Sequence, residues 1–258
     1  METVVPNLKH SLSLTLQHFF PFVSNLIVFP NPNNFGVIRK PEIRHVEGDS
    51  VTLTIAECDL DFEDLTSNHP RKCETFYPLV PPLGNAVKAS DHIANPLFSV
   101  QVTLFREAGF SIGMTNHHSL ADASARFVFL KAWNSIARFG GDESFLSKGS
   151  PPVYDRLIDI PKLFEHKLSQ TKLETFYQPP ALVPGRKIGI AGTPKHNFYD
   201  LDFGWGKPKK NETVSIDYNG SISINSCKES TQGHEIGLCF SSKQMEEFAN
   251  IFNGGLES

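Results

Sequence analysis

Met114-Thr115-Asn116-His117-His118-Ser119-Leu120-Ala121-Asp122-Ala123-Ser124-Ala125 is where an alternating apolar run gives way to a small-residue run, with two histidines at the change. Upstream, Phe98, Val100, Val102 and Leu104 alternate with polar neighbours. Arg106-Glu107-Ala108-Gly109 supplies a turn, and Phe110, Ile112 and Met114 then alternate again. Period-two runs on either side of a turn predict a β-hairpin. Downstream, Ser119-Leu120-Ala121-Asp122 has the form of a capping box, in which the serine oxygen and the carboxylate satisfy free backbone N–H groups. The helix predicted beyond it carries Phe127, Leu130, Trp133, Ile136 and Ala137, and ends at Gly140-Gly141. The change of period therefore predicts a hairpin over 98–118, a helix over 120–139 packed against it, and two histidines at the turn between them.

Adjacent residues leaving a strand point to opposite sides, so His117 and His118 do not share one site. The expectation is that His118 lines a groove while His117 points into the fold or across to another strand. An imidazole that titrates near neutrality can take a proton from a hydroxyl or thiol and return it to a leaving group. Asp122, four positions after His118, either orients that imidazole or holds the loop through another partner such as an arginine. The competing reading is structural: the histidines pack or face water, and Asp122 serves a helix N-terminus without catalysis. His118 and Asp122 could supply two metal ligands, but no nearby cluster completes a tetrahedral set, so no metal is expected.

The 258 residues are enough for one large domain or two modest ones. With 40% hydrophobic and 20% charged residues the chain has ordinary globular composition. A net charge of −4, with no basic stripe, argues against a nucleic-acid partner. Phenylalanine is over-used, 21 against 5 Tyr and 2 Trp, which core packing accounts for. Cys58, Cys73, Cys227 and Cys239 have no CxxC spacing and read as free buried thiols in a reducing compartment. No run approaches a membrane span and no signal peptide is recognised, so the expectation is a cytoplasmic, monomeric protein.

In chain order, Leu8, Leu12, Leu16 and Phe19 line one face of a helix over 7–20 that Pro21 stops. So apolar a helix, opening the chain, is expected to be an internal element whose preceding strand is absent. Leu26-Ile27-Val28-Phe29 and Gly36-Val37-Ile38-Arg39 flank an Asn/Pro turn, and Val51 to Glu57 alternates as a strand. Asp59, Asp61, Glu63 and Asp64 read as an exposed acidic loop, and 66–97 as proline-rich loops. Pro151 to Arg156 leads into a mixed stretch, and Ala181 to Arg186 looks like a linker. Asn197 to Pro208 is an aromatic, glycine-dense loop. Asn219-Gly220 reads as a hairpin turn between 214–218 and 221–225, and 235–240 as a strand. A last helix follows from Ser241, with Met245, Phe248, Ala249 and Phe252 expected inward.

His118-Ser119-Leu120-Ala121-Asp122 together with Asp202-Phe203-Gly204-Trp205-Gly206 resembles the plant acyl-CoA-dependent O-acyltransferases of the BAHD family, whose hallmarks are HxxxD and DFGWG motifs in this order. Within that family the chain looks most like the branch that malonylates or otherwise acylates anthocyanins, flavonoids and phenolic glucosides. The resemblance implies an α/β fold of the chloramphenicol-acetyltransferase type: two domains with mixed sheets and flanking helices, and a solvent channel between them. It implies acyl-CoA, such as malonyl-CoA, as co-substrate rather than a bound cofactor, and a phenolic or flavonoid glucoside as acceptor. It makes His118 the general base and Asp122 a residue that holds the loop. Asp202, Phe203, Gly204, Trp205 and Gly206 would support the fold away from the chemistry, in keeping with glycines that permit tight turns and aromatics that anchor them.

The interval from Asp122 to Asp202 is much shorter than the family's, and the YFGNC-type motif of the anthocyanin-acylating branch is absent. The expected organisation is an incomplete N-terminal acyltransferase domain over 1–180, a junction over 181–188, and a C-terminal remnant over 189–258. A chain so shortened is either an acyltransferase or a catalytically inactive remnant that binds partners or does not fold stably.

Overall fold

The computed structural model describes residues 3–30, 39–141, 189–214, 220–230 and 232–256. Gly36 to Ile38, Pro151 to Arg156, the junction at 181–188 and most of 214–218 lie outside the described residues. Helix α1, Val4–His18, begins three residues earlier than its apolar period suggests and buries Leu8, Ser11, Leu12 and Thr15 on one side. Pro21 sits in the 3-10 turn Phe20–Val23 that follows. Strands β1 (Asn25–Val28), β2 (Glu42–Arg44), β4 (Val87–Lys88) and β5 (Ile93–Pro96) form a small sheet in the order β2-β1-β5-β4. Strand β3, Thr52–Cys58, lies parallel to β6, Phe98–Phe105, which pairs antiparallel with β7, Gly109–Asn116. Helix α3, Ala123–Arg138, follows β7. The predicted hairpin and helix are present.

Helices α1 and α3 pack on one face of the β3-β6-β7 sheet. Trp133, fully buried on α3, donates its indole N–H to Ser11 Oγ at 3.0 Å. Asn7 Nδ2 donates to the Ala137 carbonyl at 3.1 Å. Phe19, Phe22, Phe98 and Phe129 cluster between the helices and the sheet, with Phe22 stacked on Phe129 at 4.4 Å. Much of the phenylalanine excess is therefore core packing. Helix α3 ends as its glycines require: Gly140 takes φ 63°, and the Gly141 N–H reaches back to the Ile136 carbonyl at 2.9 Å.

The opposite face of the hairpin is covered as well. Alternation there supplies Ser99, Gln101, Thr103 and Thr115, residues a half-buried sheet would give to water. A 3-10 helix, Cys73–Leu79, and the prolines after it run across this face. Gln101 donates to the Pro78 carbonyl at 2.7 Å, Ser99 to Pro82 at 2.9 Å and Thr115 to Pro81 at 2.5 Å. The strap needs its carbonyls satisfied, and the polar face of the strands does that. Gly113 makes room for it, because a Cβ there would collide with the Leu79 carbonyl oxygen. Gly113→Ala is therefore expected to cost about 1–3 kcal/mol through a forced backbone shift. Chemical denaturation beside the parent chain checks this, and an unchanged midpoint would show that the strap yields freely.

The acidic stretch is not a plain loop. Asp61 caps helix α2, Phe62–Thr66, by accepting from the Glu63 and Asp64 N–H groups, and Glu63 and Asp64 occupy its first turn. That is where the exposed backbone N–H groups of a helix favour carboxylates. The C-terminal part brings β8 (Gly189–Thr193), β9 (Ser221–Ser226) and β10 (His234–Cys239) into a sheet of order β10-β9-β8, with β8 parallel to β9. Helix α4, Ser242–Leu256, corrects an expectation. Met245 is only half-buried and Ala249 is exposed; Phe248, Ile251, Phe252 and Leu256 are 37%, 77%, 54% and 72% exposed. The apolar stripe is present, but no element among the described residues covers it. Ile190 and Ile236 on the neighbouring sheet are bare too.

Candidate active site

The turn from β7 to α3 is built by side chains that tie the chain to itself. The His117 N–H still pairs with the Leu97 carbonyl at 2.9 Å, and the Leu120 N–H bonds back to the His117 carbonyl at 3.0 Å. Asn116 Nδ2 spans the turn, donating to the carbonyls of His117 at 3.1 Å and Ala121 at 3.2 Å. His117 is half-buried, and its Nδ1 accepts from the Ser119 N–H at 3.2 Å while lying 2.7 Å from Ser119 Oγ. An Nδ1 that accepts from a backbone N–H carries no proton, so the neutral ring is protonated at Nε2. Burial first, then the adjacent His118, lowers the pKa of His117 below that of an ordinary histidine. At neutral pH it stays uncharged.

His118 takes the other side. It is exposed and has no hydrogen bond or ion pair among the described residues. The two histidines thus divide as strand alternation predicts, one inward and one out. A cleft of about 360 Å³ lies along α3, between Phe127 and Lys131 on the helix and Lys195 and Asp200 opposite; His118, expected to line a groove, does not line this one.

The capping box is not formed as read from the sequence. Ser119 is engaged by His117, and the N-cap of α3 is Asp122 itself, whose Oδ1 accepts from the Ala125 N–H at 2.8 Å. No ion pair joins Asp122 to an arginine or to His118 among the described residues. Its carboxylate anchors the helix, and through the helix the position of the turn. Asp122→Ala is expected to lower stability by about 1 kcal/mol, and Asp122→Asn, which keeps an N-cap oxygen, by only a few tenths. Thermal unfolding of both variants tests this, and equal losses would contradict a capping role.

Two contributors were missed in the sequence. Asn116 reads there as the end of a strand, and nothing in the pattern signals its double hydrogen bond. His196 comes from far along the chain, and its Nε2 lies 2.9 Å from Ser124 Oγ in the first turn of α3. Its ring stacks on Phe127 at 4.8 Å.

The second motif sits at the other end of α3. Asp202 Oδ1 accepts from the N–H groups of Gly204 at 2.9 Å and Gly206 at 3.0 Å. The two glycines take φ 105° and 101°, values only glycine adopts without strain. Asp202 Oδ2 pairs with Arg138 at 3.2 Å, and its backbone N–H donates to Asn134. The Gly204 N–H is the main cause that holds its carboxyl below the usual aspartate range, helped by Gly206 and Arg138 against partial burial. Phe203 meets Trp133 edge-on at 5.1 Å and Trp205 meets Phe110 at 5.6 Å. Arg138 ends α3 and Phe110 begins β7, whereas His118 lies where β7 ends and α3 begins. At about 1.5 Å per helical residue and 3.4 Å per strand residue, the motif is on the order of 20–25 Å from His118. Among the described residues no three His, Cys, Asp or Glu side chains are placed to hold a metal ion, and no helix is long and apolar enough to cross a membrane.

Comparison with known proteins gives a consistent picture. The profile of the Transferase family matches residues 1–157 and 162–253. A malonyl-coenzyme A:anthocyanin 3-O-glucoside-6''-O-malonyltransferase of Dahlia pinnata is 43% identical over 400 positions that take in 100% of this chain and 86% of that protein. The 258 residues cannot fill those positions, so a long stretch of the Dahlia protein faces no residue here. Phenolic glucoside malonyltransferase 1 of Nicotiana tabacum is 39% identical over 61% of this chain, which spans only 34% of the tobacco protein. The crystal structure of vinorine synthase superposes with a TM-score of 0.56 at 15% identity, covering 95% of this chain and 83% of that one. That likeness shows the fold.

Proposed function

The chain belongs to the Transferase family, the BAHD acyltransferases, and on that premise we propose that His118 is the general base of an acyl-CoA-dependent O-acyl transfer to a phenolic or flavonoid glucoside, with malonyl-CoA as donor. The observation that carries this reading is the division of labour at the turn. The Asp122 carboxylate is occupied by the helix and His117 by Ser119, while His118 is outward and makes no hydrogen bond or ion pair among the described residues. His118 removes the proton of the acceptor hydroxyl as its oxygen attacks the thioester carbonyl. When the carbon–sulfur bond breaks, the CoA thiolate takes that proton, leaving the ester, free CoA–SH and a neutral imidazole. A neutral His117 favours the step, because no standing positive charge opposes protonation next door. Asp122 acts by position rather than by proton transfer. Asp202, Phe203, Gly204, Trp205 and Gly206 support the fold at a distance.

A second reading has its own observation. The proposed division into an incomplete acyltransferase domain over 1–180, a junction over 181–188 and a remnant over 189–258 goes with an exposed His118 and with an apolar face of α4 that nothing among the described residues covers. Such a chain positions substrates poorly and is a non-catalytic remnant with a binding role. The reading extends to a cytoplasmic monomer. The test is release of free CoA from malonyl-CoA in the presence of a phenolic glucoside, beside His118→Ala. Turnover abolished by that substitution supports the enzyme, and no His118-dependent turnover in a folded chain supports the remnant.

A further inference from the structure

The C-terminal part is held to the body of the protein along a second seam, formed by the residues that follow the motif at 202–206. Arg71 pairs with Glu212 at 2.7 Å, Lys209 pairs with Glu63 at 2.5 Å, and Lys210 Nζ donates to Asn68 Oδ1 at 2.9 Å. At the same seam Cys73, the first residue of the 3-10 helix over the hairpin, meets Cys239, the last residue of β10. Their sulfurs are 3.6 Å apart and separated by 166 positions of sequence. Both residues are half-buried, neither sealed in the core nor fully in water. The backbone around them is fixed on each side. Thr75 N–H bonds to the Lys72 carbonyl in the turn of Cys73, and the Cys239 carbonyl accepts from Gly220 at 2.8 Å. Cys58 and Cys227 make no sulfur–sulfur contact among the described residues.

Two thiols already in contact need only close to about 2 Å to bond, a shift that rotation of the side chains can supply. We propose that Cys73 and Cys239 are a redox-responsive pair, reduced as free thiols and joined by small disulfides such as glutathione disulfide into a bond that clips residues 189–256 to residues 3–141. One thiolate attacks glutathione disulfide, forming a mixed disulfide and releasing glutathione. The second thiolate attacks the protein sulfur of that mixed disulfide and releases a second glutathione. Two protein thiols are oxidised and one glutathione disulfide is reduced, so the exchange balances. The ring so closed is long, and long rings constrain the unfolded chain most.

The experiment is to incubate the native full chain with glutathione disulfide, then denature it, label the remaining thiols with a maleimide and map the peptides by mass. The expected result is a fall from four labelled cysteines to two, a loss of two hydrogens, and a peptide joining Cys73 to Cys239. The midpoint of thermal unfolding should rise by roughly 5–10 °C and return on reduction. A chain carrying Cys58→Ser and Cys227→Ser should behave like the parent, and the same treatment in denaturant should lose the selectivity. Four labelled cysteines, a stable glutathione adduct, or a dominant link between any other pair would overturn the proposal.

Discussion

Purified as it stands, the chain is expected to release CoA from malonyl-CoA at least a hundredfold more slowly than the Dahlia relative assayed beside it, and His118→Ala should bring the remainder down to the uncatalysed rate. A positioned general base is worth about 10²–10⁴-fold, so alanine at 118 removes most of what such a site does. The slow parent rate has a separate cause. Misplacing reactants by an ångström costs about a hundredfold, and the 258 residues leave a long stretch of the Dahlia protein without a counterpart to position them. His117→Ala separates the two histidines. It removes the acceptor of the Ser119 N–H, so its loss should register in stability before it registers in the proton-transfer step. Turnover equal to the Dahlia enzyme would show that the stretch without a counterpart is not needed to position the reactants. Turnover that survives His118→Ala would sink the assignment of the base.

How far the sequence goes can be traced at this same turn. The hairpin and α3 were legible because each is decided locally: period two, a turn, then a 3.6-residue period closed by Gly140 and Gly141. The outward His118 and inward His117 followed from strand alternation alone. The cap was misassigned by three residues, because Ser119 and Asp122 are both good N-cap residues and the choice depends on a non-local fact. Ser119 is claimed by the His117 ring. The burial of Ser99, Gln101 and Thr103 was invisible for a similar reason: only the strap over the hairpin makes that face interior. Helix α4 failed in the opposite direction. Its stripe of Met245, Phe248 and Phe252 is a sound sign of a buried face, yet a stripe specifies a partner's chemistry and not its presence. The link between His196 and Ser124, like that between Cys73 and Cys239, joins residues whose separation in sequence leaves no periodic trace.

Phe203→Ala is expected to cost about 3–5 kcal/mol, the range for removing a buried aromatic ring, because its ring fills the space beside Trp133 where the C-terminal part docks on α3. The loss should not be spread evenly. Hydrogen exchange should quicken first in 189–256, since those residues reach the core through Phe198, Leu201 and Phe203, while β6 and β7 keep their pairing. Asp202→Asn tests the same joint electrostatically. The Asp202 carboxyl is held below its unfolded value, so the ionised group contributes stability that is fully present above the ordinary aspartate pKa of about 3.9. That stability is lost as pH falls through the lower, folded value. The parent should therefore be more stable than Asp202→Asn at neutral pH, and the gap should close in acid. Two stability curves that run parallel from neutrality into acid would show that the Gly204, Gly206 and Arg138 contacts contribute nothing as a charged cluster, and that packing by Phe203 and Trp205 alone holds the motif in place.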